Sequence, residues 1–505
     1  MGKIAGSEVA EPVRARLADL GLVPAAGAGD RTITGIAIES RAVRPGMLFA
    51  ALPGTRVHGA RFAAEALASG AVAILTDAAG AEAARAALTE HPGAALILAE
   101  DARAALARAA ARWFGVQPGV MAAVTGTNGK TSVASFTRQI WTALGHAAIN
   151  LGTTGVEGAW SAPSRHTTPD ALTLARLLAE AAAAGVTHGC MEASSHGLDQ
   201  RRLEGVRLRA AGFTNLSRDH LDYHPDEDAY FEAKAGLFGR LLPEGATAVL
   251  NIDDPRGRIL ARRARHRGQR VIATRQAEGA DLRLAGQRCD ATGQEVRLIW
   301  QGQARQVRLN LVGGFQAANV AVAAGLAIAC GDAPGAVFDA LGQLRGVRGR
   351  MERAATRDNG AAVYVDYAHT PDAVATALAA LRPHVMGRIV VVLGAGGDRD
   401  RGKRPLMGAA AAAGADAVIV TDDNPRTEDP AAIRAAVRAG CPAAAEVADR
   451  AEAILRGVAM LGPGDALLIA GKGHETGQEI MGQVYPFDDA EQASMAVAAL
   501  EGRGV

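Results

Sequence analysis

The chain has 505 residues, 49% hydrophobic and 21% charged, which is enough for about three domains of ordinary size. A net charge of +1 argues against a nucleic-acid partner, which calls for a strong basic excess or a clustered basic face. The opening Met1-Gly2-Lys3-Ile4-Ala5-Gly6-Ser7 has no apolar core of signal-peptide length and charge interrupts the alanine-rich runs, so a soluble, cytoplasmic protein without a membrane partner is expected.

In chain order, short apolar runs at 47–52, 71–75 and 94–98 alternate with alanine-rich helical segments, the pattern of a small α/β unit. This unit ends near Gly115-Val116-Gln117-Pro118-Gly119, a Gly/Pro cluster that reads as a linker.

The second unit opens with a β-favouring run at 120–124. Gly126-Thr127-Asn128-Gly129-Lys130-Thr131-Ser132 follows, and then Val133, Phe136, Ile140, Trp141 and Leu144 recur at helical spacing up to Gly145. Strand, glycine loop and helix in this order aim free backbone N–H groups and the positive end of a helix dipole at a polyphosphate. Lys130 would reach the terminal phosphates and Thr131 a Mg²⁺ ion. The loop is a shortened variant, because a standard phosphate loop would have its first glycine where Val124 stands.

Further on, a strand expected at 186–190 leads to Met191-Glu192-Ala193-Ser194-Ser195-His196-Gly197, which places a carboxylate where it can hold Mg²⁺ or its water. The segment from Asn215-Leu216-Ser217-Arg218 to Asp219-His220-Leu221-Asp222-Tyr223-His224 packs two histidines and two aspartates together, a density that suits a metal-phosphate site. By itself each segment reads equally well as caps and turns. The arginine-rich stretch at 256–270 reads as a solvated helix face. Runs at 281–284, 295–300 and 306–311 alternate with period two between Gly-containing turns, so they predict antiparallel strands appended to the main sheet.

The third unit follows Arg345-Gly346-Val347-Arg348-Gly349-Arg350. Its apolar runs end in polar loops: Asp366-Tyr367-Ala368-His369, Gly394 to Arg399, Asp422-Asp423-Asn424-Pro425-Arg426, and Gly471-Lys472-Gly473-His474-Glu475. Ligands of an open parallel sheet bind beyond the carboxyl ends of its strands, so these loops are expected to face one cleft. Gly394-Ala395-Gly396 alone is weak support for a dinucleotide. The cysteines, Cys190, Cys289, Cys330 and Cys441, are far apart and lack a C-x-x-C pair, so neither a zinc site nor a disulfide framework is suggested.

The glycine loop at 126–132, Met191 to Gly197, Asn215 to Asp222 and Asp423 to Arg426, in this order, closely resemble the Mur ligases, and in particular the members that add diaminopimelate. The likeness runs from Ser40-Arg41 to Glu475. It implies an α/β fold of three domains: a UDP-sugar-binding domain at 1–116, a central P-loop ATPase-like parallel sheet with appended antiparallel strands at 117–345, and a Rossmann-like amino-acid-binding domain at 346–505. It also implies an ATP-dependent ligase of peptidoglycan precursor synthesis that acts on small molecules through an acyl phosphate, most simply as a monomer.

By resemblance, Thr131 and Glu192 would serve one Mg²⁺ and His220 a second. Lys234 would carry a CO2-derived carbamate, although residues alone make it an ordinary helix-surface lysine. Ser40, Thr167, Thr168, Ser194, Gln200 and Arg202 would meet the UDP-sugar substrate, with the loop Thr55-Arg56-Val57-His58-Gly59 near its uridine end. Asn319 and Arg350 would line the ATP side, with Asp366 and His369 near them; the family's usual His or Asn stands here as Gln316. Asp423, Asn424, Pro425 and Arg426 would select diaminopimelate, because Arg426 can grip its distal carboxylate in a bidentate pair. Gly471 and Glu475 would take the distal ammonium, and Arg399 the carboxylate beside the reacting amine. An amide ligase using L-lysine or another acceptor, and a non-catalytic nucleotide-binding protein, are the competing readings.

Overall fold

The computed structural model describes residues 14–25, 29–54, 57–164, 166–220, 223–276 and 279–503. Thr55, Arg56, Leu221, Asp222 and the first seven residues, all of which entered the sequence reading, lie outside the described residues.

The first unit is built on a four-stranded parallel sheet, ordered Ile36–Ala37, Leu48–Ala50, Ala73–Thr76, Ala95–Leu98, which follows an antiparallel pair of Ala15–Arg16 with Thr32–Ile33. Asp77 and Asp101 cap the helices that follow its last two strands by accepting from Gly80 and Ala104 N–H, which satisfies donors a helix start leaves open. The helix Ala102–Phe114 stops at Gly115, and the Gly/Pro stretch leads into Val120–Thr125.

Val120–Thr125 lies within a ten-stranded sheet, between Leu208–Phe213 and His188–Glu192 and parallel to both. The strand expected at 186–190 forms two residues later. Met191 and Glu192 pair with Ala123 and Val124, so the register of the neighbouring strand carries Glu192 to the end of the ladder. The period-two runs form Leu282–Asp290, Gly293–Trp300 and Gln303–Leu309, antiparallel to one another and joined through Arg270–Arg275 to the main sheet. Helices cover both faces of this sheet. Lys130–Ala143 and Gln316–Cys330 bury Val133, Phe136, Trp141, Val320 and Leu326 on one side, and Ala171–Ala183 buries Leu174, Leu177 and Leu178 on the other. The arginine-rich helix Pro255–His266 points Leu260, Ala261 and Ala264 inward and leaves most of its arginines at the surface.

The third sheet is ordered Glu352–Thr356, Ala362–Asp366, Ala466–Ala470, Ile389–Leu393, Ala417–Val420, Ala445–Glu446, and only its first pairing is antiparallel. Its central strands are buried from end to end and read as unbroken apolar runs, as strands covered on both faces do. A short hairpin, Gly477–Ile480 with Gln483–Pro486, follows the sheet and was not anticipated.

Candidate functional site

The glycine loop joins Val120–Thr125 to the helix Lys130–Ala143, as its residue types require. Gly126 (φ +148°) and Gly129 (φ +85°) hold backbone angles that L side chains rarely adopt. A Cβ on Gly126 would lie 1.9 Å from Thr214 Oγ1, and one on Gly129 would lie 2.4 Å from Asn319 Oδ1. The segment after the adjacent strand Leu208–Phe213 braces the loop: Thr127 N–H donates to Asn215 O at 2.8 Å, and Asn128 N–H donates to Asn215 Oδ1 at 3.0 Å. Lys130 Nζ curls back onto the carbonyls of Gly126 (3.0 Å) and Thr127 (2.7 Å). Burial lowers its affinity for the proton below the ordinary lysine range.

Thr131 begins the helix and Glu192 ends the adjacent strand, so their side chains meet at the same end of the sheet. Thr131 Oγ1 donates to Glu192 Oε2 at 3.1 Å, and Glu192 is 1% exposed. Thr153 N–H donates to Glu192 Oε1 at 2.8 Å, and Thr153 Oγ1 stands 3.0 Å from Thr167 Oγ1. Thr168 Oγ1 donates to Glu192 O at 2.9 Å and accepts from Ser194 N–H at 3.0 Å. Arg202 donates through Nε and Nη2 to Gln200 Oε1 and through Nη1 to Thr168 O. Thr167, Thr168, Ser194, Gln200 and Arg202 therefore form one polar wall beside Glu192. Ser40 lies in the turn Ser40–Ala42 of the first unit.

Lys234, on the helix Glu227–Gly236, is 1% exposed, so residue type alone misplaces it at the surface. Its Nζ donates to Gly126 O at 2.8 Å and lies 4.4 Å from the centre of the Tyr230 ring. Burial, reinforced by the nearby Lys130 charge, holds its proton affinity well below the ordinary value of 10.5, while Asp219 partly opposes the shift. His220 is half exposed, adopts a left-handed backbone (φ +54°) and pairs its Nε2 with Asp219 Oδ2 at 3.5 Å. Among the described residues no three His, Cys, Asp or Glu side chains converge on one point. A hard cation fits the oxygens of Thr131 and Glu192 when phosphate and water complete its shell.

The polar loops of the third unit converge as expected. Asn424 Nδ2 donates to Glu475 Oε2 at 2.8 Å, and the buried Lys472 donates to Asn424 Oδ1 at 2.8 Å. A Cβ on Gly471 would lie 2.4 Å from Asp423 Oδ2. Pro425 is buried, and Arg426 adopts φ +52° and donates through Nη1 to Gly397 O at 2.7 Å. Arg399, on the loop after Ile389–Leu393, is exposed. Beneath these loops Arg450 and Asp489, both 0% exposed as side chains, form a pair through two bonds of 2.7 Å.

The third unit also touches the helix that follows the glycine loop. Arg350 Nη2 donates to Thr131 Oγ1 at 3.3 Å, and its guanidinium carbon lies 4.6 Å from the centre of the Tyr367 ring. Asn319 Nδ2 donates to Gln316 Oε1 at 3.0 Å, so the glutamine at the departed position buttresses Asn319 under Gly129. His369 is held at Tyr367 O (2.8 Å), and burial pushes Asp366 up to about 6. Sequence reasoning gave no part to Thr153, Tyr230 or Lys472. Lys472 sat within a quoted motif, whereas nothing in the local pattern marks Thr153 or Tyr230.

Three family descriptions match the chain: "Mur ligase family, catalytic domain" at residues 32–114, "Mur ligase middle domain" at 124–327, and "Mur ligase, glutamate ligase domain" at 349–473. The UDP-N-acetylmuramoyl-L-alanyl-D-glutamate–2,6-diaminopimelate ligase of Caulobacter vibrioides is 50% identical over 494 residues, 96% of this chain and 99% of that protein. The protein of the same name from Bradyrhizobium diazoefficiens is 50% identical over 489 residues, 95% of this chain and 98% of that protein. A solved structure of a ligase of that name superposes with a TM-score of 0.67 at 36% identity, covering 93% of this chain and 95% of that one. The MurF ligase of Thermotoga maritima, solved with ADP, shares the fold at a TM-score of 0.60 and 18% identity, covering 93% of this chain and 98% of that one.

Proposed function

The chain belongs to the Mur ligase family, and from that premise we propose that it joins meso-2,6-diaminopimelate to UDP-MurNAc-L-Ala-D-Glu with cleavage of ATP to ADP and phosphate. The observation that carries this reading is the meeting at Thr131, whose hydroxyl bonds both Glu192 of the ATP-binding sheet and Arg350 of the third unit. Phosphate site and acceptor domain are thereby in contact. Segments 1–116, 117–345 and 346–505 then serve as the UDP-sugar, ATP and amino-acid domains.

A carboxylate is a poor acyl donor, so the γ-phosphoryl group of ATP passes first to the free D-Glu carboxylate. The acceptor amine then attacks the acyl carbon, forming the amide bond as the C–O bond to phosphate breaks and the amine sheds its proton. Lys130 leaves its two carbonyl partners to meet the phosphates, with Gly126, Thr127, Asn128, Gly129 and Ser132 supplying the loop backbone around them. Glu192 and Thr131 would hold Mg²⁺, with His220 at a second ion, and such ions offset the repulsion between carboxylate and triphosphate. Thr167, Thr168, Ser194, Gln200 and Arg202 form the wall against which the peptide end of the substrate is oriented, and Ser40 meets its nucleotide end. Asn319 and Arg350 complete the ATP side.

Lys234 suits carbamylation because only an unprotonated amine attacks CO2, and burial favours that form. The N–C bond forms as the amine nitrogen attacks CO2 and loses a proton, so an anion replaces a neutral amine beside Lys130. At the acceptor end, Arg426 pairs with the distal carboxylate of diaminopimelate within the loop Asp423-Asn424-Pro425-Arg426. Glu475 and Gly471 receive the distal ammonium, and Arg399 the carboxylate near the reacting amine. Action as a cytoplasmic monomer belongs to the same proposal. The four cysteines are free, and among the described residues no helix is long and apolar enough to cross a membrane.

Phosphate release with ATP, Mg²⁺ and UDP-MurNAc-L-Ala-D-Glu tests the reading, with meso-diaminopimelate or L-lysine as acceptor. Release with diaminopimelate alone and a tripeptide product by mass is expected. Release with lysine alone would overturn the acceptor assignment, and release with neither would overturn the ligase reading.

A further inference from the structure

The hairpin Gly477–Ile480 with Gln483–Pro486 lies against the proposed acceptor loop and is fastened to it residue by residue. Arg426 N–H donates to Glu479 O at 3.0 Å, and Met481 N–H donates to Arg426 O at 2.7 Å. Glu479 N–H donates to Asn424 Oδ1 at 2.9 Å, and Gln478 Nε2 donates to Asp423 O at 2.7 Å. These backbone-centred bonds fix a left-handed residue that is not glycine, Arg426 at φ +52°.

The side chains add a second constraint. Arg426 Nε donates to Glu479 Oε2 at 3.1 Å while its Nη1 donates to Gly397 O at 2.7 Å. A guanidinium is planar, so two fixed donors on different nitrogens set both its plane and its heading. Nη2 makes none of these bonds and is directed by them. An arginine free to rotate would forfeit its rotamer freedom on gripping a ligand. Glu479 removes that freedom before the ligand arrives, and it is 39% exposed as a side chain at the cleft's edge, so its charge is partly screened.

We infer that Glu479 is a positioning residue for the acceptor amino acid, holding Arg426 so that its unused donors face an incoming carboxylate. This rests on the assignment of Arg426 to that carboxylate under the proposed function. Glu479 touches no reacting atom. Its effect falls on acceptor binding and leaves the phosphoryl-transfer end of the site untouched.

The test compares wild type with Glu479→Ala and Glu479→Gln in steady-state phosphate release, varying diaminopimelate, ATP and the UDP-sugar dipeptide in turn. The backbone bonds from residue 479 survive both substitutions, so the hairpin stays docked, and an unchanged thermal midpoint verifies this. Glu479→Ala is expected to raise KM for diaminopimelate about tenfold, with kcat and the other two KM values within about twofold of wild type. Glu479→Gln keeps an acceptor for the Arg426 Nε–H and is expected to recover most of the loss. An unchanged KM for diaminopimelate overturns the inference, and so does a lowered one, which would make Glu479 a competitor that substrate must displace. A kcat that falls with all three KM values unchanged also overturns it. A wild-type enzyme that turns over with neither diaminopimelate nor lysine would instead defeat the underlying functional reading.

Discussion

Lys130 and Lys234 share one acceptor, the carbonyl oxygen of Gly126, at 3.0 and 2.8 Å. Two lysines on one oxygen repel if both are charged, and burial removes the water that would screen them. Each has its proton affinity lowered, and Lys234 the more strongly. The arrangement favours a neutral Lys234, the form able to take up CO2. Lys234→Ala is expected to be nearly inactive in phosphate release and to regain part of its activity when short carboxylates are added. Wild-type turnover of that variant would remove the carbamate from the mechanism.

Glu192 is buried with both oxygens engaged, Oε1 by Thr153 N–H and Oε2 by the Thr131 hydroxyl. Chelation of Mg²⁺ is expected to stop phosphate release and its return to restore it. Glu192→Gln keeps the shape but loses the charge, so half-maximal activity should need at least about tenfold more Mg²⁺, a shift of the size that loss of an outer metal partner already causes. A Mg²⁺ titration of the variant that overlays wild type would displace Glu192 from the metal site.

Arg426→Lys retains charge but not the planar fork. Losing a partially buried charge-assisted contact costs about 2 kcal/mol or more, which corresponds to a KM for diaminopimelate roughly 30-fold higher. Initial-rate kinetics with saturating ATP would measure it, and an unaltered KM would free Arg426 from substrate recognition.

The Arg450 and Asp489 side chains have no exposure, and Arg450 also donates to Ala470 O (3.0 Å) and Asp422 O (3.3 Å). Asp489→Asn leaves a buried guanidinium without its counter-charge and is expected to cost about 3–5 kcal/mol of stability. Chemical denaturation would report it. The double substitution Arg450→Met with Asp489→Leu should recover much of the loss, because it buries no uncompensated charge.

Asp366 supplies a pH signature. Its folded value of about 6 exceeds the ordinary 3.8 because burial disfavours the carboxylate. The folded state thus holds the proton more tightly, so the group's stabilising contribution is complete below 3.8 and is lost as pH rises through 6. Comparing urea midpoints at about pH 4 and about pH 7, Asp366→Asn should show a smaller decline in stability with rising pH than wild type. Parallel declines would show that Asp366 titrates normally.

Much of the architecture was legible because its signals are local. The run at 120–124, two glycines with positive φ and the helical spacing from Val133 to Leu144 lie within one continuous stretch, and the structure builds them as strand, loop and helix. The apolar runs that lead into the loops at 394–399 and 471–475 likewise form strands, and the structure buries them from end to end. What stayed hidden depends on pairings far apart in sequence. Thr131 and Glu192 are 61 residues apart, and Thr131 and Arg350 are 219 apart, so local pattern could not join them; only the family resemblance grouped them, and strand order and domain packing supply the physical reason. The interior position of Lys234 was invisible to residue type, since only the helix's packing under the glycine loop buries it. The hairpin at 477–486 gave little signal because its first strand is half-buried and its second exposed, which blurs the apolar alternation.

Under the proposed assignment of Thr131 to the nucleotide, its bond from Arg350 links that end of the site directly to the C-terminal unit. Thermodynamic linkage makes such a tie symmetrical: if filling the phosphate loop alters how tightly that sheet holds its ligand, filling the sheet must alter nucleotide affinity by the same factor. One hydroxyl shared by a helix start, a strand end and a distant arginine thus offers such a coupling a physical route, equal in strength whichever ligand comes first.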